Sequence, residues 1–337
     1  MLNFDPARFL RIQTGTVSIA RDLGTLVGRL VVEGADSLFF MGSGGAGILM
    51  QPATDLMRRA SNLPCHNVLC AEIVLTGHVA LGPKSVVVMP SLSGTTKESI
   101  AAMEYVRARG ATVISITGHA DTPLAKGADH AFVNFAEDDT SCEMFYVTSL
   151  VAALAVMQAR GERSDYDRII GELAGLPQQL LAVKQAFEPR ADALARAIAA
   201  DGWHIITGSG AAWPQAYYYG MCILEEMQWI RTRPVHASDF FHGTLELVEK
   251  GVSVVVFAGE DETRPLTDRV IAFAKGYTDK LTVLDTRDLA TTGLSADLRA
   301  LLAPALLATV LERLSAHLEV MRDHPLVTRR YYKRVAY

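Results

Sequence analysis

Three short segments from the first half of the chain recur in the second half, in the same order and at nearly one spacing. The motif "GSG" occurs at positions 42 and 208, "SVVV" at 85 and 253, and "TVI" at 112 is matched by "TVL" at 282. The spacings are 166, 168 and 170 positions. Chance similarity among apolar strands is the alternative explanation, since such runs are common. A repeat of this length predicts two tandem subdomains of similar fold.

Strand-like and helix-like segments alternate within the first copy. "SLFFM" leads into "GSGGAG" and a helical stretch, "SVVVM" leads into "PSLSGTTKES", and "ATVISIT" and "HAFVNFA" follow. Such a βα series predicts a parallel sheet covered by helices on both faces. The expected fold is therefore α/β, with two tandem doubly wound, three-layer αβα subdomains.

The length of 337 residues also favours about two domains rather than a single core. The stretch between the two copies is helical in composition and periodicity, so it is predicted to be a connector. The boundaries predicted from these patterns are an N-terminal helical segment 1–34, a first subdomain 35–160, a helical connector 161–198, a second subdomain 199–320 and a C-terminal tail 321–337.

Charge and apolar patterning exclude several classes of protein. The net charge is −5 and is spread along the chain, so nucleic acid is not an expected partner. The N-terminus carries Asp5 and Pro6 where a secretory signal needs a basic head and an apolar stretch. No run approaches about 20 apolar residues, the length of a membrane span. We expect a soluble, cytoplasmic protein that does not bind membranes.

The four cysteines do not form a metal or redox motif. They include no C-x-x-C pair, and only His66 lies near two of them. Zinc requires a more regular ligand spacing, so no metal is predicted. Buried structural thiols are expected at Cys65, Cys70, Cys142 and Cys222.

The loop "PSLSGTTKES" places four hydroxyl side chains around Gly94 between a buried strand and a helix. A helix that begins there presents unpaired backbone N–H groups and the positive end of its dipole. We therefore predict that Ser91, Ser93 and Thr96 bind a phosphate. An ordinary N-cap turn with surface hydroxyls is the alternative. The helix is expected to bury Ile100, Met103 and Val106.

The glycine-rich loops do not indicate a nucleotide site. No G-x-x-x-x-G-K-[ST] string is present. Gly42, Gly44 and Gly47 satisfy the G-x-G-x-x-G spacing, but the region near "LPCHNVLC", about 20 residues further on, offers no acidic residue at a strand end. The second copy's loop, "FAGEDETRPLTD", is acidic where the first copy's loop is neutral. Only the first copy is expected to accept an anion.

The segment "SLSGTTKES" resembles the S-x-S-G-x-T phosphate loop of the sugar isomerase (SIS) family. The tandem arrangement resembles the isomerase half of glucosamine-6-phosphate synthase. The closest resemblance is to fructosamine-6-phosphate deglycases, and three segments carry it: "CILEEMQWIRTRPVHASDFFHGTLELVE", "GEDETRPLTDRVIAFAKGYTDKLTVLD" and "RDHPLVTRRYYKRVAY".

The resemblance implies SIS-type subdomains and roles for individual residues. Ser91, Ser93 and Thr96 match the phosphate ligands, Glu226 the catalytic glutamate, and His242 the histidine of ring opening and proton transfer. No cofactor is implied. The implied substrate-binding residues are Ser43, Gly44, Gly94, Ser209 and Lys333. Two positions depart from the family pattern: Ala46 and Gly47 stand where a Ser or Thr is usual, and the family's H-G-P reads "HGT".

From the residues alone, Glu226 is more simply a solvated helix charge and His242 a surface residue. The helix also carries Met221, Leu224, Met227 and Trp229, so an inward direction for Glu226 requires Glu225 to point elsewhere. His236 is the alternative histidine. The same apolar helix offers Met221, Leu224 and Trp229 for an intersubunit contact, so a homodimer or larger homo-oligomer is expected.

The implied activity is the hydrolysis of a fructosamine 6-phosphate to glucose 6-phosphate and an amine. An aldose-ketose isomerase or an aminosugar-6-phosphate deaminase is the alternative on the same scaffold. A non-catalytic sugar-phosphate sensor is a second alternative, although the roughly 30 residues before the first strand are too few for a helix-turn-helix domain. In the tail, Arg329, Arg330 and Lys333 are expected either to close over the substrate or to form a solvated basic end.

Overall fold

The computed structural model describes residues 1–137, 139–332 and 334–336, and the chain divides into two compact units. The first unit comprises Asp5–Gln179 and Gly293–Leu298. The second comprises Met1–Phe4, Leu180–Thr292 and Arg299–Tyr337. Each unit contains one parallel sheet.

The sheet of the first unit has the strand order β2-β1-β3-β4-β5. Every residue of β1 and β3 is buried, which is why these strands are continuous apolar runs rather than alternating ones. One face packs under helices through a core that includes Phe39, Val87 and Met103. The strands are β1 Ser37–Gly42, β2 Cys65–Leu69, β3 Ser85–Pro90, β4 Thr112–Thr117 and β5 His130–Val133.

The sheet of the second unit has the order β7-β6-β8-β9, which repeats the first four positions of the other sheet. The recurring sequence segments fall on equivalent strands, because "GSG" follows β1 and β6, "SVVV" forms β3 and β8, and "TVI" and "TVL" lie in β4 and β9. The predicted tandem α/β architecture is therefore confirmed. The strands are β6 Trp203–Gly208, β7 Arg231–His236, β8 Ser253–Ala258 and β9 Lys280–Asp285.

The helices of the N-terminal half include two long ones, α1 and α7. Asp5 caps α1 by accepting hydrogen bonds from the N–H groups of Ala7 and Arg8, and Pro6 occupies its first position. Helix α7 is buried over almost its whole length. The helices are α1 Pro6–Val32, α2 Gly45–Ile48, α3 Gln51–Ala60, α4 Cys70–Thr76, α5 Lys97–Arg107, α6 Pro123–Gly127 and α7 Ser141–Ala159.

The remaining helices include one interrupted helix, in which a π-helical segment, Tyr219–Glu225, separates α10 from α11. Short 3₁₀ helices lie at Gly210–Ala212, Asp239–His242, Thr244–Leu247 and Thr286–Asp288. The α-helices are α8 Tyr166–Leu173, α9 Leu176–Ala199, α10 Trp213–Tyr218, α11 Glu226–Gln228, α12 Arg264–Tyr277 and α13 Ala296–Met321.

Two helices, α7 and α13, are long and apolar enough to cross a membrane by length and composition alone. The expectation that no segment approaches such a length was therefore wrong. In α7, 89% of the apolar window is buried inside the protein, and in α13 78% is buried. Both helices thus have the character of core helices in a soluble protein, which are apolar on all sides because they are surrounded.

Some local expectations also need correction. Strands β2 and β7 were not predicted, and the strand expected over "HAFVNFA" is only the four residues of β5. On α5, Met103 and Val106 are buried as expected, but Ile100 is only half-buried. The buried face of α5 instead includes Ser99 and Ala102.

Candidate active site

The loop between β3 and α5 is held by hydrogen bonds to the neighbouring strand β4 and by hydrogen bonds within the loop itself. The Ser91 N–H donates to the Ile116 carbonyl at 2.9 Å, which continues the ladder between β3 and β4. The Ser91 hydroxyl is 3% exposed and accepts a hydrogen bond from the Gly94 N–H at 3.2 Å. Ser91 therefore shapes the loop in addition to its predicted contact with a ligand.

Gly94 occupies a position that other residues cannot take without strain. Its φ is +61°, and a Cβ there would lie 2.2 Å from the Thr122 Oγ1 and 2.7 Å from the Thr122 Cβ. The Gly94 carbonyl accepts a hydrogen bond from the Leu124 N–H at 3.2 Å. The loop consequently packs tightly on the start of α6, and glycine is required for that close approach.

Ser93 and Thr96 lie on the more open side of this loop, and both are half-buried. The Ser93 Oγ accepts a hydrogen bond from the Thr95 Oγ1 at 3.1 Å. Thr96 is the N-cap residue of α5, but its side chain makes no capping hydrogen bond, and it has no other partner within the described ranges. Its hydroxyl therefore has no partner within the described residues, and the first-turn N–H groups of a helix lack intrahelical acceptors, which is compatible with the predicted phosphate site.

The first glycine loop lies beside the phosphate loop at the same edge of the sheet, because β1 and β3 are neighbouring parallel strands. The Ser43 Oγ is 3.3 Å from the Ser99 Oγ in the first turn of α5. Gly44 has a φ of +55°, and a Cβ on Gly42 would lie 2.5 Å from the Gly47 nitrogen. The turn is thus closed by backbone packing, and two of the predicted substrate-binding residues, Ser43 and Gly44, lie next to the predicted phosphate site.

The equivalent loops of the second unit are occupied by a carboxylate of the chain itself. Asp261, in the loop after β8, accepts hydrogen bonds from the Ala211 N–H at 2.8 Å and from the Thr263 N–H at 2.9 Å. The buried Ser209 hydroxyl donates to the Thr263 carbonyl at 3.1 Å, and its Oγ lies 3.0 Å from the Thr263 Oγ1, whose own proton is directed to Asp261. Ser209 is therefore already bonded within its own loops, and its role in substrate binding stays a prediction.

Glu226 and Glu225 point in different directions at the end of the interrupted helix. The Glu225 Oε1 accepts a hydrogen bond from the Thr232 Oγ1 at 2.5 Å, next to strand β7. The Glu226 Oε1 lies 2.9 Å from the Arg329 Nε in the tail. Burial, together with the nearby Glu226 and Glu225 carboxylates, raises the pKa of the Cys222 thiol to about 12. The half-buried Glu226 is thus separated from its neighbour, as its predicted role requires.

The two histidines of the segment after β7 have different environments. His242 ends the 3₁₀ helix Asp239–His242, is exposed, and forms no hydrogen bond or ion pair within the described part of the chain. His236 ends β7, where its Nδ1 lies 2.9 Å from the Ser238 Oγ and its ring meets Trp213 edge-on at 5.5 Å. Of the two, His242 is the more exposed residue, and His236 is half-buried.

The tail contacts the helix that carries Glu226. Arg329 pairs with Glu226, and the Arg330 guanidinium lies 3.9 Å from the centre of the Trp229 ring. Of the two alternatives for the tail, the solvated basic end does not fit Arg329, which is largely buried, whereas Arg330 is exposed although its guanidinium lies over a ring. Lys333, predicted to bind substrate, lies outside the described residues.

Two details of the predicted helix are wrong. It ends at Gln228, and Trp229 follows with a φ of +55° instead of continuing the helical spacing. Leu224 is 1% exposed inside its own unit, so it cannot form the intersubunit contact that the sequence suggested. The sequence also gave no indication of Arg329 as a partner of Glu226, because the two residues are separated by 103 positions.

No group of three or more His, Cys, Asp or Glu side chains in the described ranges is arranged to hold a metal ion. Cys70, Cys142 and Cys222 are buried, and Cys65 is half-buried. Burial raises the pKa of the Cys65 thiol to about 12. The thiols described here therefore have the environment of structural residues.

Comparison with known proteins identifies the family. The SIS domain model matches residues 33–160. Fructosamine deglycase FrlB of Bacillus subtilis (strain 168) is 31% identical over 327 residues, which is 96% of this chain and 99% of that protein. The chain belongs to the SIS-domain family. A second relative, fructoselysine 6-phosphate deglycase of Escherichia coli O157:H7, is 29% identical over 91% of this chain and 88% of its own length.

Solved structures agree with this assignment. A presumed phosphosugar isomerase of Bacillus subtilis has a TM-score of 0.88 and 30% identity, with coverage of 96% of this chain and 99% of that one. The C-terminal domain of glucosamine-fructose-6-phosphate aminotransferase from Francisella tularensis has a TM-score of 0.81 at 16% identity, with 95% of each chain covered. The second likeness concerns the fold alone. The resemblances to the SIS family, the deglycases and the synthase are all confirmed.

Proposed function

We propose that this protein is a deglycase that hydrolyses a fructosamine 6-phosphate to glucose 6-phosphate and a free amine or amino acid. The observation that carries the proposal is the likeness to FrlB, which extends over both units and over 99% of that deglycase. The Escherichia coli relative, whose name specifies a 6-phosphate substrate, supports a phosphorylated sugar. These relatives are enzymes, so the non-catalytic sensor is set aside.

The phosphate is assigned to the loop of Ser91, Ser93 and Thr96. The support is the accessible Thr96 hydroxyl at the start of α5, together with the N–H groups of the first turn. The neighbouring Ser43 and Gly44 are assigned to the sugar, next to the phosphate. In the second unit, Asp261 fills the corresponding position, which supports a single phosphate site in each chain.

The reaction requires a series of proton transfers. An Amadori compound is a 1-amino-1-deoxyketose that is mostly closed as a ring. The ring opens when the ring oxygen takes a proton and the C2 hydroxyl loses one. Removal of a C1 proton then gives an enaminol, and protonation at C2 gives an imine. Water adds to the imine carbon, and the C–N bond breaks to release the amine and glucose 6-phosphate.

Each proton transfer is assigned to a side chain of suitable chemistry. A carboxylate accepts the C1 proton and returns it to C2, and this role falls to Glu226. An imidazole exchanges protons near neutral pH, and the accessible His242 is assigned to ring opening. The steps require no metal or organic cofactor, because the amine nitrogen delocalises the developing charge.

A panel of substrates tests the proposal. Purified protein is incubated with fructoselysine 6-phosphate, other phosphorylated Amadori compounds, glucosamine 6-phosphate and fructose 6-phosphate. Glucose 6-phosphate, fructose 6-phosphate, ammonia and the free amine are then assayed. We expect glucose 6-phosphate and amine in equal amounts from at least one Amadori compound. The absence of both products with every Amadori compound contradicts the deglycase assignment.

An aldose-ketose isomerase or an aminosugar-6-phosphate deaminase is the second candidate. The observation that favours it is the isomerase description of the Bacillus subtilis structure at a TM-score of 0.88. The same panel separates the candidates. Interconversion of fructose 6-phosphate and glucose 6-phosphate indicates the isomerase, and ammonia released from glucosamine 6-phosphate indicates the deaminase.

The proposal includes a cytoplasmic enzyme that acts as a homodimer or larger oligomer. Phosphorylated sugars are intracellular metabolites, which supports the location. The interface is not assigned to Leu224, since that side chain is buried within its own unit. Light scattering at concentrations at which the enzyme is fully active tests the assembly, and a monomer under those conditions contradicts it.

A further inference from the structure

The C-terminal tail contacts the end of the helix that carries Glu226 through several residues. In the tail segment 322–330, the Arg329 Nε lies 2.9 Å from the Glu226 Oε1. The Arg330 guanidinium lies 3.9 Å from the centre of the Trp229 ring. The Gln228 Nε2 donates a hydrogen bond to the His324 carbonyl at 2.7 Å. Three residues near the helix end, Glu226, Gln228 and Trp229, are therefore each held by the tail.

Arg329 joins the carboxylate to a turn of the tail. Besides its contact with Glu226, its guanidinium donates to the Leu326 carbonyl at 2.6 Å and to the Thr328 carbonyl at 3.0 Å. The side chain of Arg329 is 14% exposed, and that of Glu226 is 35% exposed. Because a guanidinium is planar and rigid, three acceptors around it fix its plane and thereby fix the direction of the carboxylate.

An independent observation comes from the backbone of Trp229. Its φ of +55° is a genuine outlier for a bulky residue. Such strain persists only where the surroundings over-determine it, and it is concentrated at functional sites. The Trp229 ring meets the His324 ring edge-on at 4.5 Å, and the Arg330 guanidinium lies over it. The strained residue is thus the one against which the tail packs.

We propose that Arg329 is a positioning residue that holds the Glu226 carboxylate in the direction needed for proton transfer. The tail segment 322–330 stabilises the end of the helix, and Arg329, held within that segment, fixes the direction of the Glu226 carboxylate. This proposal rests on the proposed role of Glu226. It differs from the expectation that Arg329 closes over the substrate, because the guanidinium already pairs with a carboxylate of the protein itself.

The variants Arg329→Gln and Arg329→Lys test this role. They are assayed with fructoselysine 6-phosphate, or with the Amadori compound that the wild type cleaves fastest, and Arg196→Gln serves as the control. Arg196 forms an exposed ion pair with Asp192 and is 68% exposed. For Arg329→Gln we expect kcat to fall by roughly tenfold or more, with KM changed only slightly. Exchange of the C1 proton with solvent deuterium should fall in parallel.

The conservative variant separates positioning from general damage. Arg329→Lys should retain more of kcat than Arg329→Gln, because lysine keeps the positive charge but lacks the planar guanidinium that bonds to several acceptors at once. Arg196→Gln should match the wild type. Melting temperatures show whether each variant is folded. If Arg329→Gln does not fold, Arg329→Lys decides the question: a reduced kcat at unchanged KM supports positioning, and a wild-type kcat overturns it.

Other outcomes also overturn the proposal. If folded Arg329→Gln retains wild-type kcat and C1 exchange, Arg329 does not position Glu226. If Arg329→Gln raises KM and leaves kcat unchanged, Arg329 binds the substrate instead. These results leave the deglycase assignment intact, provided that the wild type releases glucose 6-phosphate and Glu226→Gln does not. If the wild type cleaves no Amadori compound in the panel, the proposed function itself has failed.

Discussion

The carboxylate of Asp261 accepts a hydrogen bond from the backbone N–H of Ala211 at 2.8 Å. Ala211 lies in the glycine loop after β6, and Asp261 follows the neighbouring strand β8. The second sheet thus supplies its own anion to the loops that, in the first sheet, are predicted to bind the anion of the substrate. The same arrangement of loops thus holds a carboxylate of the chain in one copy and is predicted to hold a ligand in the other.

Replacement of Asp261 should therefore affect stability more than catalysis. Asp261→Asn keeps the shape of the side chain but removes its negative charge, which accepts hydrogen bonds from the Ala211 N–H, the Thr263 N–H and the Thr263 Oγ1. Hydrogen bonds to charged groups contribute about 1.5–3 kcal/mol each. We expect the free energy of unfolding to fall by roughly 1–3 kcal/mol in urea titrations. Glu249→Gln, at an exposed position, should change it by less than about 0.5 kcal/mol. Equal stability of the two variants contradicts this account.

Thr96→Val is the most direct test of phosphate binding, because the Thr96 hydroxyl makes no capping bond in the free protein. Loss of one hydrogen bond to a charged group should raise KM for a phosphorylated substrate by roughly ten- to a hundredfold. Thr25→Val, an exposed threonine on α1, is the matched control. Steady-state kinetics measure both. An unchanged KM in Thr96→Val, Ser91→Ala and Ser93→Ala together would exclude this loop as the phosphate site.

Gly94→Ala should distort the same loop through its backbone. A side chain at a φ of +61°, with the Thr122 Oγ1 only 2.2 Å from the new Cβ, should cost about 1–3 kcal/mol of stability and raise KM for the phosphorylated substrate. Gly171→Ala is the control, because nothing lies within 4 Å of a Cβ on that helical glycine. It should be neutral or slightly stabilising. Calorimetry that finds the two variants alike would remove the steric argument.

Glu226 and His242 should fail in different ways. Loss of one acid-base group typically lowers the rate by about 10² to 10⁴-fold. Glu226→Gln should nearly abolish deglycation and stop deuterium from entering C1, as followed by NMR in heavy water. His242→Ala should slow the turnover of ring-closed substrate but spare an analogue that cannot cyclise. If Glu226→Gln exchanges the C1 proton at the wild-type rate, Glu225 and His236 become the next residues to test.

The acid stability of the second unit should depend on Glu188. Burial alone would raise the pKa of Glu188, but hydrogen bonds from Arg313, the Leu2 N–H and His317 outweigh it and lower the pKa from 4.5 to about 2. Since the pKa is lower in the folded state, this stabilisation is complete above pH 4.5 and is lost as the pH falls toward 2. It amounts to roughly 2–3 kcal/mol.

Unfolding free energies measured in this pH range check the assignment. Glu188→Gln should be less stable than the wild type at neutral pH, and the difference should shrink as the pH is lowered. Glu249→Gln again serves as the control, since that carboxylate is exposed. A difference between Glu188→Gln and wild type that stays constant with pH would show that the Glu188 carboxylate does not carry this stabilisation.

The strands at the centre of each sheet could be predicted from the sequence, whereas β2 and β7, each at one edge of its sheet, could not. The central strands are almost entirely buried and form apolar runs that are easily recognised in the sequence, as in β1, β3, β6 and β8. β2 and β7 lie at sheet edges, are only partly buried and carry polar residues, and β7 even contains Pro234. An edge strand tolerates proline because part of its backbone has no partner in the sheet.

The candidate residues were proposed from local sequence, but their partners required the fold. The phosphate loop is contiguous, so its hydroxyls and Gly94 could be recognised together. The pairing of Glu226 with Arg329 joins residues 103 positions apart, and no local pattern indicates it. The helical spacing that placed Trp229 beside Glu226 failed because the helix is π-helical before Glu226 and ends at Gln228.

The π-helical segment Tyr219–Glu225 also sets the directions in which the side chains that follow it point around the helix axis. A π segment has the effect of one residue inserted into an α-helix, and each residue of an α-helix turns the chain by about 100°. If one residue of the segment were deleted, Glu226 would take the direction now held by Glu225, toward Thr232, and Glu225 would take the buried position of Leu224. The number of residues upstream, as much as their chemistry, thus decides which carboxylate reaches the tail.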